Sequence, residues 1–216
     1  MTSEVTIRAY EPRDREAVRQ ICCDTADAGE PAESFFPDRE VFADLLTLYY
    51  TDYEPSSTWV AEQDGQVVGY LTGCLDTRRF LRAMAWRLVP RTLVKALVRG
   101  TLWHRQVLKL LDANLAGWLR GGFRRQVSLG NYPAHLHINL RKDNRGQQIG
   151  RQLVERFLEQ ARQAGSNGVH AGVSSENERG CRFLESVGFT PVSREARFRS
   201  PDSQQAASTI IYGRRF

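Results

Sequence analysis

Residues 136–161 restrict what this chain can fold into more than any other stretch. Leu136-His137-Ile138-Asn139-Leu140 alternates apolar and polar residues, the pattern of a strand with Leu136, Ile138 and Leu140 on one face. A polar turn with Arg145 and Gly146 follows. Ile149, Leu153, Val154, Phe157, Leu158 and Ala161 then recur at helical spacing. A strand therefore feeds a helix through a loop whose backbone can face outward. The first amides of a helix lack internal acceptors, and the aligned peptide dipoles add partial positive charge there. Such an end suits a phosphate, and Gly146 and Gly150 let one approach the main chain.

The rest of the chain mixes the same two periods, which makes it an α/β (α+β) protein. Val5–Ala9 reads as a first strand and Pro12–Asp24 as a helix. Residues 27–38 read as loop, with Phe35 and Phe36 as core plugs first and pocket lining second. Asp38 is placed to cap a second helix running through Tyr49, broken at Glu54–Ser57. Trp59–Glu62 and Val67–Thr72 form a predicted hairpin around Asp64-Gly65. Gly168–Val173 reads as a strand and Glu178–Ser186 as a helix stopped by Gly188. Residues 190–198 and 207–214 suit a closing hairpin.

At 216 residues this is expected to be one domain, residues 1–216, with an insertion. An apolar share of 41% supplies a substantial core, and no apolar run reaches spanning length. The start, M-T-S-E-V-T-I-R, lacks a secretory pattern. Cys22, Cys23, Cys74 and Cys181 show neither a C-x-x-C pair nor zinc spacing, so no metal is expected. All four read as reduced thiols of a cytoplasmic protein.

Two motifs carry a family resemblance. Arg145-Gly-Gln-Gln-Ile-Gly150 resembles the acyl-CoA pyrophosphate loop of the GNAT (GCN5-related) N-acetyltransferases, with Gln148 where that family usually has glycine. Asn177-x-x-Gly180-x-x-Phe183-Leu184-x-x-x-Gly188-Phe189 resembles the later motif of the same family, in the right order. Pro133–Leu140 further resembles a bacterial subgroup akin to the acetyltransferase-like domain of O-GlcNAc hydrolases. The resemblance implies a mixed central sheet of about seven strands flanked by helices, and acetyl-CoA as co-substrate. It implies transfer of an acetyl group to an amine, small molecule or peptide, by direct attack.

The cofactor residues follow from the same resemblance. The amides of Gly146, Gln147, Gln148, Ile149 and Gly150 would face the pyrophosphate, with Arg145 and Arg151 adding charge. Leu140 and Arg141 stand where the family pairs backbone with the pantetheine arm. Asn177 would bond the cofactor, and Ser174 lies nearby at the end of its strand.

For the base, His137 comes first, because imidazole titrates near neutrality. His135 and Asn139 share its face of the strand, pointing away from the motif helix. Asp76, Glu54 and Tyr53 are alternatives. The tyrosine that protonates the departing thiolate in the family falls on Leu184, which cannot donate. Ser174, Cys181 and Tyr212 are substitutes. That loss motivates a second reading, a weak or inactive acetyl-CoA-binding module.

Residues 77–130 depart from a compact acetyltransferase, which joins its third and fourth strands by a short turn. The segment reads as a basic helical insertion with charge +11, against −6 for the rest of a chain of net charge +5. Pro90 and Gly100 and Gly117 punctuate it. Arg87, Arg91, Lys95 and Arg99 fall on one helix face, and Leu93, Val94, Leu97 and Val98 on another. Its uses rank as a lid over the acceptor site, a homodimer contact, and a membrane-surface contact. Nucleic acid ranks lower, with no stacking platform or reading motif beside the charge.

Overall fold

The computed structural model describes residues 4–26, 31–34, 36–109, 127–196 and 208–216. Seven strands form one mixed sheet in the order β1-β2-β3-β4-β5-β7-β6. They are β1 (Thr6–Ala9), β2 (Thr58–Gln63), β3 (Gln66–Cys74), β4 (Ala134–Leu140), β5 (Gly168–Ser174), β6 (Thr190–Ala196) and β7 (Ser208–Arg215). Neighbours are antiparallel except β4 and β5, which run parallel. A parallel pair needs a crossover, and the amphipathic helix after β4 supplies it. The β2–β3 turn holds Asp64 and Gly65 at φ 51° and 74°, the positive values a two-residue hairpin loop requires.

The sheet is flanked by helices α1 (Arg15–Asp24), α2 (Arg39–Leu48), α3 (Thr77–Ala83), α4 (Val89–Val98), α5 (Ile149–Gln163) and α6 (Glu178–Ser186). α5 presses Ile149, Leu153, Val154, Phe157, Leu158 and Ala161 onto one face of the sheet, against Leu71, Leu136 and Val169. α1 and α2 cover the other face with Val18, Ile21, Val41 and Phe42, joined by Phe36. Phe35 lies outside the described residues. Burial pushes the Cys22 thiol up to about 12 and that of Cys23 to about 11, so both act as core residues.

Asp38 caps α2, accepting from the amides of Glu40 and Val41 at 3.1 and 3.2 Å. The insertion is mostly helical over residues 77–109; Gly117 falls outside the described residues. Pro90 sits in the first turn of α4, which continues from a π-helical turn at Met84–Leu88. α4 lies against α2. Lys95 pairs with Asp44 at 2.6 Å, and Arg99 and Thr101 both reach Asp38. Desolvation would raise the Asp38 pKa, but the donors from Arg99 and Thr101 outweigh it and hold it at about 2. One carboxylate thus caps α2 and anchors the insertion.

Candidate active site

The site begins where the sheet opens. β4 and β5 pair only at Ala134–Val169 and His135–His170, although β4 runs on to Leu140 and β5 to Ser174. Beyond His135 the strands splay. The edges that face each other across this wedge, residues 136–140 and 171–173, form no ladder with each other. Backbone N–H and C=O groups left in this way seek other partners. The wedge is therefore a template for an extended, amide-bearing ligand.

The candidate phosphate loop closes the wide end. After Leu140, the Arg141 amide donates to Val68 O at 3.0 Å, and a 3₁₀ turn at Lys142–Asn144 reverses the chain. The Asn144 side chain donates to Gln63 at 2.6 Å, fixing the turn to the β2–β3 hairpin. Gly146 has φ 81° and Gln148 φ 61°. These left-handed residues swing the chain into α5, in which Gln152 donates back to Gln148 O at 3.1 Å. Among the described residues, the amides from Gly146 to Gly150 make no backbone hydrogen bond. A side-chain carbon on Gly150 would lie 3.0 Å from the Phe183 ring and 3.5 Å from Leu140. This position therefore ties the loop to both β4 and α6.

The family glycine replaced by Gln148 now has a structural meaning, since the position is left-handed. A non-glycine residue there costs roughly 1–2 kcal/mol, partly offset by its lower freedom in the unfolded chain. Gln148→Gly is expected to stabilise the protein by up to about 1 kcal/mol, a rise in Tm of roughly 2–4 °C. A lower Tm in a thermal melt would show that the Gln148 side chain contributes more than its backbone costs.

The two loop arginines separate. Arg145 folds back, its Nε donating to Leu140 O at 3.2 Å, and stays at the mouth. Arg151 turns outward to Ser186 O at 2.8 Å and to Glu155. Asn177 caps α6, its Oδ1 accepting from the Gly180 amide at 2.9 Å. Ser174 ends β5 beside it, its carbonyl accepting from the Asn177 amide at 2.9 Å and from the Cys181 thiol. Leu184 is buried in the core. The Tyr212 hydroxyl donates to Glu185 at 2.8 Å, and desolvation raises its pKa, with Glu185 adding to the effect.

On the opposite face of β4 lies an aromatic and imidazole cluster. α2 continues into a π-helical turn, Tyr49–Tyr53, which carries Tyr50 inward. Both His135 nitrogens are bonded, Nε2 to the Tyr50 hydroxyl at 2.8 Å and Nδ1 to Thr77 Oγ1 at 2.7 Å. His170 Nδ1 bonds Tyr132 O at 3.0 Å. His137 differs: among the described residues it makes no hydrogen bond, and its ring stands edge-on to Tyr50 at 6.0 Å. Solvent reaches the side chain, yet protein packs densely around it, and desolvation pulls its pKa below the ordinary histidine value.

The remaining candidates are engaged elsewhere. Asn139 donates to Thr25 Oγ1 at 2.6 Å, tying β4 to the end of α1. Asp76 caps α3, accepting from the amides of Arg78 and Arg79, beyond the end of β4 remote from the loop. Glu54 accepts from Tyr49, Ser57 and the Leu75 amide. Tyr53 stacks on Tyr49 near the surface. Tyr50, Thr77 and Thr25 do not stand out in the sequence; their partners lie 85, 58 and 114 residues away. The paired Tyr49-Tyr50 at the end of a helical pattern is the one local signal.

The profile of the acetyltransferase (GNAT) family matches residues 24–189. Solved structures agree in fold. The chain is similar to SsHAT over 98% of each chain, with 28% identity and a TM-score of 0.73. It is also similar to a putative phosphinothricin N-acetyltransferase (18% identity, 99% of each chain, TM-score 0.57). A third likeness is to yncA, a putative acetyltransferase from Salmonella typhimurium solved with its cofactor acetyl-CoA (16% identity, 98% of this chain and 93% of that one, TM-score 0.57).

Proposed function

Because the chain belongs to the acetyltransferase (GNAT) family, we propose that it transfers the acetyl group of acetyl-CoA to an amine by direct attack. The observation that carries this reading is the splay of β4 from β5, ending at a helix whose first amides lack backbone partners among the described residues. The fit to the co-substrate is chemical. The facing edges of β4 and β5 match the amides of a pantetheine arm, with Leu140 and Arg141 at the strand end. The amides of Gly146 to Gly150 match a pyrophosphate, with Arg145 beside it. Ser174 and Asn177 border the wedge from the β5 side. Arg151 reaches this ligand only by leaving Ser186.

In the proposed reaction the amine nitrogen bonds to the thioester carbonyl carbon. The carbon–sulfur bond then breaks, and CoA leaves as a thiolate. His137, neutral near pH 7, takes the proton from the amine directly or through one water. Asn139 orients β4 from the same face. Asp76 serves as the cap of α3, and we assign it no proton. The acceptor is an amine, small molecule or peptide. The wording of Pro133–Leu140 supports placing the chain beside the acetyltransferase-like domain of O-GlcNAc hydrolases.

Burial of Leu184, where the family donor stands, favours a second reading as a slow transferase or an acetyl-CoA-binding module. Thermal unfolding with acetyl-CoA tests the first step. At a hundred times its dissociation constant the ligand adds about 2.7 kcal/mol, so Tm is expected to rise by roughly 5–11 °C. No shift at millimolar acetyl-CoA refutes the co-substrate. Steady release of CoA thiol with an amine panel supports the transferase; a thermal shift without thiol release across the panel supports the module.

A further inference from the structure

α4 is amphipathic in the reverse of the usual sense. It meets α2 through Thr92, Ala96 and the Lys95–Asp44 pair, and turns its aliphatic side to solvent. Leu93, Val94, Leu97 and Val98 are 47, 62, 50 and 82% exposed. Trp86 and Trp103, at 83 and 72%, flank them. Of the twelve exposed large apolar side chains among the described residues, eight lie between Leu81 and Leu108. A face of this kind marks a contact surface.

The charge around it selects the partner. Arg78, Arg79, Arg82, Arg87, Arg91 and Arg105 are exposed, and none has an ion pair among the described residues. The sequence holds no acid between Asp76 and Asp112. We propose that the outer face of α4, with Trp86 and Trp103, docks on an anionic lipid surface. Phosphates over hydrocarbon match both features at once, guanidinium with headgroup and Trp, Leu and Val with the acyl boundary. A second copy of the chain would bring unpaired arginines against unpaired arginines. No helix among the described residues is long and apolar enough to span a membrane.

The test is co-sedimentation of the full chain with phosphatidylcholine vesicles, with and without phosphatidylglycerol, at low and high salt. Binding is expected to favour the anionic vesicles by about tenfold or more, and to weaken with salt. Val94→Asp with Val98→Asp is expected to abolish it; both sites are exposed, so the acetyl-CoA thermal shift stays unchanged. Arg87→Glu with Arg91→Glu is expected to remove the anionic preference. Equal binding to both vesicle types overturns the proposal, as does binding retained by the Val94/Val98 variant. No vesicle binding overturns it too, whether the same variant instead breaks a dimer, releases an acidic protein or nucleic acid, or changes nothing.

Discussion

Gly150→Glu is expected to weaken acetyl-CoA binding at least about 100-fold, or about 2.7 kcal/mol. Gly150→Ala is expected to hold affinity within a few-fold. The first added carbon meets the Phe183 ring at 3.0 Å, a contact the ring relieves by moving a few tenths of an ångström. Overpacking of that order costs about 1–3 kcal/mol of stability and leaves the loop amides in place. Glutamate adds a carboxylate at the second residue of α5. Negative charge at a helix start favours the helix itself. The same amides and the same field are what a pyrophosphate would use, so the carboxylate competes with the ligand while sparing the fold. Titration calorimetry with acetyl-CoA, beside a melt without ligand, separates the two effects. Unchanged affinity in a folded Gly150→Glu protein would remove the pyrophosphate from this loop.

The sequence made the loop legible because its signal is local: a two-residue period, a turn and a helical period within 136–161. The fold was legible for the same reason, and Asp38 as a cap and Asp64-Gly65 as a turn are local chemistry too. Non-local features were not. The splay of β4 from β5 is a relation between two strands that each look regular alone. The face shared by His135, His137 and Asn139 follows from alternation, but their different duties do not. His135 is taken up by Tyr50 and Thr77, which arrive from α2 and from the insertion. Arg151 shows the converse limit. Its place beside the loop is evident from sequence, while its turn toward Ser186 depends on where α6 ends. The insertion was legible as helices and charge. Which side of α4 faces out was decided by the acids of α2, since Glu40 and Asp44 draw Lys95 inward.

His137→Ala is expected to lower kcat by roughly 10²–10⁴-fold with KM for acetyl-CoA within about twofold. The geometry argues for this histidine over its neighbour. A base must have a nitrogen free to accept a proton, and both His135 nitrogens are committed, whereas His137 makes no hydrogen bond among the described residues. Desolvation lowers the His137 pKa, so the imidazole is neutral at pH 7. The acid limb of kcat/KM should therefore fall below about 6.5, the ordinary histidine value, and vanish in His137→Ala. Stability carries the same sign. The unfolded chain takes up the proton first, so His137 leaves stability untouched above about pH 6.5 and lowers it as pH falls through that value toward the folded pKa. His137→Gln, which removes the titration and keeps a polar side chain, should flatten this acid loss. His135→Gln serves as the contrast: it loses the Tyr50 and Thr77 bonds, so it should lower Tm while the acid limb stays where it was. An acid limb that survives in His137→Ala, with kcat intact, would assign the base to another group or to solvent.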